Sequence, residues 1–242
     1  MAAERLDKLI ALHCNLSRRD ARKLIKDGAV SVNGTPALRA ETPVDTDSDE
    51  LSVKGQSFTI KKHLYLMLNK PTGVISATND PKKQTVIDLI PDSLRRRSLF
   101  PVGRLDRDTT GLLIITDNGD FAHRVLSPSH HVFKTYIATL RSPLSEQDVA
   151  ALEAGITLDG DEKCLPAKVR AFTDSEGNPC AEIKIREGKY HQVKRMAAAV
   201  GNNVEKLERI AVGALSLDTS LARGECRELS TQELELVFRD PE

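Results

Sequence analysis

The stretch Phe100-Pro101-Val102-Gly103-Arg104-Leu105-Asp106-Arg107-Asp108-Thr109-Thr110-Gly111-Leu112-Leu113 sets a carboxylate between two arginines in a turn that feeds an apolar strand. Opposite charges on either side favour a charged carboxylate. Residues 111–116 are rich in Leu and Ile, a short buried-strand pattern, so the turn hangs from a rigid element. Two readings stay open on this run alone: a reactive carboxylate, or a surface ion-pair cluster at a strand end. A magnesium pair built from Asp106-x-Asp108 is disfavoured, because Arg104 and Arg107 would repel a cation and no Gly-rich phosphate loop accompanies it.

A chain of 242 residues, 40% hydrophobic, can bury a sizeable core. No apolar run approaches membrane-spanning length, and the N-terminus leads straight into an amphipathic pattern. Cys14, Cys164, Cys180 and Cys226 lie far apart with no Cys-x-x-Cys pair, so neither a zinc ribbon nor a disulfide framework is expected. His130-His131 has no third ligand at metal-binding spacing. The expectation is a cytoplasmic protein with reduced thiols, no bound metal and no membrane partner.

The net charge of zero conceals segregation. Residues 1–40 carry eight bases against four acids, residues 41–50 carry only acids, and acids again predominate after residue 222. The bases can therefore concentrate on one surface facing a polyanion.

Leu6, Leu9, Ile10 and His13 recur at helical spacing. A second helix is capped by Ser17, with Asp20 at its third position, and stops at Gly28. Its apolar face is Ala21, Leu24 and Ile25. Arg18, Arg22 and Lys26 form a stripe on another face, with Arg19 and Lys23 beside it. Val30 and Val32 alternate before Asn33-Gly34, a tight-hairpin signal. The stripe is either a solvated helix face or a phosphate-binding one. Lys54-Gly55-Gln56-Ser57 reads as a loop or as the hairpin's return, and a domain boundary is placed between residues 60 and 61.

Further on, residues 64–68 read as a buried strand ending in the turn of Pro71-Thr72-Gly73, and Val86, Leu89 and Ile90 suit a short helix. Arg95-Arg96-Arg97 is a second basic cluster, solvated or phosphate-facing. Phe121, Val125 and Leu126 fit a helix ended by Pro128; Val149, Leu152 and Ile156 fit another. Residues 181–185 alternate as a half-buried strand, and residues 190–200 have helical spacing that places Lys194 near the helix start. Strands mix irregularly with helices and hairpin-like turns, which predicts an α+β fold whose central sheet is mixed and mainly antiparallel.

Gly103-Arg104-Leu105-Asp106 resembles the catalytic motif of the RNA pseudouridine synthases. Two further segments match that family in the expected order: Lys134-Thr135-Tyr136, and Glu187-Gly188-Lys189-Tyr190-His191-Gln192-Val193-Lys194-Arg195-Met196. The two helices and Asn-Gly hairpin at the N-terminus resemble an S4 (αL) RNA-binding domain. With Ser127-Pro128-Ser129-His130-His131, the chain is similar to the RsuA branch, the small-subunit ribosomal RNA synthases of the 516 type.

The resemblance implies an S4-type domain over residues 1–60 and a catalytic domain over residues 61–242. Asp106 would be the nucleophile, Tyr136 the flat surface for an extruded base, Lys194 the partner of Asp106, and Arg104 a holder of phosphate or of the loop. Family members often carry arginine at the position of Lys194, which keeps the charge but changes its geometry. Arg18, Arg19, Arg22, Lys23, Lys26, Arg95, Arg96 and Arg97 would contact RNA by shape and phosphate. The partner would be ribosomal RNA, most simply small-subunit RNA or its assembly intermediate, met by a monomer that needs no cofactor. A synthase of large-subunit RNA and a non-catalytic S4 adaptor are the alternatives.

Overall fold

A computed structural model describes residues 3–46, 48–58, 61–96, 98–127, 130 and 132–241. The chain forms two compact units, Met1–Leu64 with Pro91–Leu99, and Tyr65–Ile90 with Phe100–Glu242. A single cut between residues 60 and 61 therefore misses Pro91–Leu99, which packs with the first unit.

In the first unit, β1 (Glu4–Arg5) and α1 (Leu6–His13) precede α2 (Arg18–Lys26). The Ser17 hydroxyl accepts the Asp20 amide, and Gly28 follows α2 at φ +72°. Then come β2 (Val30–Val32), β3 (Thr35–Pro36), β4 (Pro43–Val44), β5 (Leu51–Val53) and β6 (Gln56–Phe58). Four of them form an antiparallel sheet in the order β3-β2-β5-β6. Asn33 and Gly34 both have positive φ, the conformation a two-residue hairpin demands. Lys54 and Gly55 repeat it, so of the two readings of residues 54–57 the hairpin's return is the one observed, joining β5 to β6.

The core of this unit gathers Leu6, Leu9, Ile10, Ala21, Ile25, Val30, Val44 and Leu51. Within it Asp7 is wholly buried. Its carboxylate accepts from Arg5 Nε at 3.1 Å, Arg18 Nη2 at 2.8 Å and Arg22 Nε at 2.9 Å. Two members of the basic stripe are thus fastened to α1 while remaining about half exposed. Burial opposes the charge of Asp7, yet the three arginines outweigh it and hold the carboxyl well below the usual carboxylate range.

The second unit is built on one sheet in the order β11-β12-β10-β13-β9-β7-β15. Its strands are β7 (Tyr65–Lys70), β8 (Phe100–Pro101), β9 (Thr110–Thr116), β10 (Lys134–Leu140), β11 (Lys168–Thr173), β12 (Pro179–Ile185), β13 (Val204–Val212), β14 (Leu215–Ser216) and β15 (Cys226–Glu228). Every pairing is antiparallel except β13 with β9, so the sheet is mixed and mainly antiparallel. At that parallel seam Gly111 has φ +100°, and a Cβ there would collide with the Arg209 backbone. The buried Arg209 side chain also donates to the Leu112 carbonyl at 2.8 Å across the seam.

Helices α3 (Gly119–Leu126), α4 (Glu146–Ala154), α5 (Gln192–Ala199) and α6 (Thr231–Leu236) complete the unit. Residues 86–89 are successive turns rather than the expected helix. The Asp88 carboxylate captures both the amide and the hydroxyl of Thr85, and Pro91 follows, so a helical ladder has no room to propagate. Ile156 lies beyond α4, cut off by Gly155 at φ +87°. The last helix of the expected site begins at Gln192, after His191 in a left-handed conformation.

Because Asp7 titrates lower when folded than unfolded, its stabilisation is complete above about pH 4 and is lost as pH falls below the unfolded value. Asp7→Asn should cost on the order of 3 kcal/mol at neutral pH, the low end for a broken buried pair because the arginines keep their hydration. The variant should also lose part of the acid sensitivity of the first unit. Denaturant melts of both proteins at pH 7 and pH 3 check this; equal stability at pH 7 would contradict it.

Candidate active site

Asp106 sits in the loop between β8 and β9, and that loop is held from beneath by a residue the sequence reading passed over. Lys70, at the end of β7, has no solvent exposure. Its ammonium donates to the carbonyls of Thr109 at 2.9 Å, Asp106 at 3.0 Å and Pro71 at 3.1 Å, with Arg107 at 3.4 Å. Burial pushes this ammonium down from the ordinary 10.5 to about 8, against the opposing pull of Asp108 and Asp106. The loop is stitched further by Ser76, whose hydroxyl donates to the Leu105 carbonyl and accepts its amide, and by the Arg107 side chain on the Gly73 carbonyl.

Against this fixed loop comes the start of α5. Lys194 Nζ lies 3.3 Å from Asp106 Oδ2 and 2.6 Å from Asp108 Oδ1. The expected Asp106 partner is therefore shared, and its shorter contact goes to Asp108. That contact holds the Asp108 carboxyl below its ordinary value. His191 Nε2 stands 3.4 Å from Asp106 Oδ1, so Asp106 is met by nitrogen on both oxygens. The turn preceding α5 is locked by Gln192, which accepts the Lys189 amide at 3.0 Å and donates to Glu187 at 2.7 Å.

Tyr136 is buried on β10 between β12 and β13, where the pairing with β13 slips by a bulge at Thr135/Tyr136. Such slips re-aim a side chain. Its ring lines a recess of about 70 Å³ together with Asp106, Thr109, His191 and Leu207. Arg104 is exposed and lines both that recess and a groove of about 570 Å³ that also touches Lys83, Arg107 and Lys189. Among the described residues no three His, Cys, Asp or Glu side chains are grouped to hold a metal ion.

The basic residues assigned to RNA divide. Arg18, Arg19, Arg22, Lys23 and Lys26 are exposed on α2. Arg95 is half-buried and 3.6 Å from Asp92. Arg96 is a correction: it is buried in the first unit and directed at the Lys61 carbonyl, which removes it from a phosphate-binding surface. Arg97, Pro128, Ser129 and His131 lie outside the described residues. Lys70, His191 and the Asp108 contact were missed. A lysine closing an apolar strand just before Pro71 was the available signal for the first, since Lys is almost never fully buried unless it is paired.

The family model for RNA pseudouridylate synthase matches residues 64–199, and the S4 domain model matches residues 4–51. The uncharacterized RNA pseudouridine synthase YtzG of Bacillus subtilis (strain 168) is 47% identical over 96% of this chain and 98% of its own length. Ribosomal small subunit pseudouridine synthase A of Haemophilus influenzae is 41% identical over 97% of this chain and 100% of its own. A crystal structure of a pseudouridylate synthase superposes with a TM-score of 0.66 at 40% identity, covering 96% of this chain and 99% of that one. The matched region runs through the Asp106 loop, the Tyr136 strand and the Lys194 helix. The chain belongs to the RNA pseudouridylate synthase family, as a pseudouridine synthase with an S4 domain.

Proposed function

We propose that this protein isomerises one uridine of small-subunit ribosomal RNA to pseudouridine, at a site of the 516 type, with Asp106 as the nucleophile. One observation supports the assignment of the site above others. Lys194, 86 positions beyond Asp108, reaches back to both acids of the loop beside a recess walled by Tyr136. The small-subunit target rests on the full-length relative named for that activity.

The reaction breaks the bond from C1′ to N1 of uracil, turns the base, joins C1′ to C5, loses the proton from C5 and gains one at N1, so that the product is an isomer of the substrate. A carboxylate can carry the glycosyl or base fragment between those steps, as in glycoside hydrolysis, provided that water is kept out. Asp106 is about 28% exposed, accessible to an extruded nucleotide yet bounded by protein. Tyr136 supplies a flat wall for the base and a phenol to exchange the C5 proton. Lys194 balances the carboxylate charge, and Arg104 on the rim takes phosphate. The exposed cations of α2 and Arg95 dock the RNA through its backbone. In this reading the protein works as a monomer in the cytoplasm.

Asp106→Asn should leave RNA affinity within about twofold and reduce isomerisation by more than about a thousandfold, because an amide is a very poor nucleophile. Carbodiimide primer extension on small-subunit RNA reads the product; turnover within tenfold of the parent would overturn the assignment. A stop that appears only in large-subunit RNA would move the protein to a sister branch.

Lys194→Ala should slow turnover by about a hundredfold, and combining it with Asp106→Asn should add almost nothing. Lys194→Arg should restore part of the rate. Additive losses confined to RNA binding would show a phosphate contact instead.

The ammonium of Lys70 loses its proton as pH rises through about 8, leaving two donors where there were three. Turnover should therefore fall above pH 8 as the Asp106 loop slackens. Stability should not fall with it: the native state sheds this proton before the unfolded chain, so this group's contribution rises between about 8 and 10.5. Rate profiles beside thermal melts from pH 7 to 10 separate the two effects.

A further inference from the structure

We propose that Tyr190, stacked on His191, is a platform for the base of a nucleotide next to the target uridine. The inference rests on the synthase reading above and extends it to how flanking RNA is held. The chain has three tyrosines. Tyr65 packs edge-on against Phe121 and Tyr136 is buried, whereas Tyr190 is 75% exposed. Scattered exposed apolar side chains are ordinary on any surface; this one is distinguished by what surrounds it.

Its ring lies flat on His191, with centroids 3.8 Å apart and planes 19° from parallel. A ring that is three-quarters exposed with one face so covered has its other face open. His191 in turn reaches Asp106, so the stack begins at the proposed nucleophile and ends in solvent. The turn carrying the stack is rigid. His191 occupies the left-handed region at φ 47°, the Tyr190 carbonyl accepts from Arg195, and Arg195 is itself held by Asp159 and Glu162. A non-glycine residue held there marks a backbone position that its surroundings over-determine.

Both rings line the groove that contains Asp106, Arg104, Arg107, Lys83 and Lys189. An open aromatic face within a cationic groove is the chemistry of single-stranded nucleic acid, where bases stack and the backbone follows positive charge. Since the same groove touches Asp106, a base on Tyr190 belongs to a nucleotide close in sequence to the one undergoing reaction.

The test uses the full chain with Tyr190→Ala and Tyr190→Phe, on substrate RNA that is intact or abasic at the 5′ or the 3′ neighbour of the target. Tyr190→Ala should lower kcat/KM about tenfold, the lower part of the range for losing one base stack, with an unchanged melting temperature because the ring is exposed. Tyr190→Phe should keep the parent rate. Removing one of the two neighbouring bases should cost the parent the same factor and cost Tyr190→Ala nothing more. In parallel, 2-aminopurine placed at that neighbour should be quenched on binding to the parent and to Tyr190→Phe but not to Tyr190→Ala. Full activity and full quenching in Tyr190→Ala, or losses that add with both abasic substrates, would overturn the platform. Quenching without turnover by the parent would instead overturn the synthase reading and leave the stacking site standing.

Discussion

An ammonium out of reach of water lies under the Asp106 loop and divides its protons among the loop's carbonyl oxygens. Burying such a charge costs several kcal/mol, and charge-assisted hydrogen bonds return about 1.5–3 kcal/mol each. Three short ones from Lys70 are of the same order as the penalty, and the remaining imbalance appears as the drop of the ammonium to about 8. The chain retains the arrangement because it fixes backbone and not side chain. The carbonyl of Asp106 is bound, so its carboxylate is left to face α5.

The Lys194 ammonium then meets two carboxylates rather than one. Asp108 is largely exposed and makes the shorter contact, so it orients the lysine in a partly solvated position. Asp106, less exposed, takes the longer contact and a second nitrogen from His191. At these separations an effective dielectric near that of a protein surface leaves a substantial attraction, which strengthens as water is excluded from the site and weakens as the site opens to water. Two acids at i and i+2 thereby acquire different work. One is held low by its lysine, and the other faces the recess beside Tyr136.

The first unit uses charge for structure and surface together. Asp7 fastens Arg5, Arg18 and Arg22 from inside, while each guanidinium stays about half exposed. Arg18 and Arg22 are consequently fastened to the interior of the unit while lying on its exposed basic face, and substituting either would disturb the core of the unit as well as its surface. Arg19, Lys23 and Lys26 are the positions at which charge can be altered with less effect on that core.

What the sequence determined by itself was local in origin. Helical spacing placed α1, α2, α3 and α5, Ser17 and Gly28 bounded α2, Asn33-Gly34 announced its hairpin, and alternation marked β12, because caps, turns and periodicity act over a few residues. The same locality explains the failures. Residues 86–90 have helical spacing, but an Asp88 side chain intercepts the Thr85 backbone. Asp106, Tyr136 and Lys194 were legible through family motifs. That Asp106 and Tyr136 share a recess, that Lys194 divides itself between two acids, that Lys70 lies under the loop and that Arg96 is buried were decided only by the tertiary structure. Each depends on strands and helices distant in sequence brought side by side, and no short-range pattern records which buried cation will find which carbonyl or carboxylate.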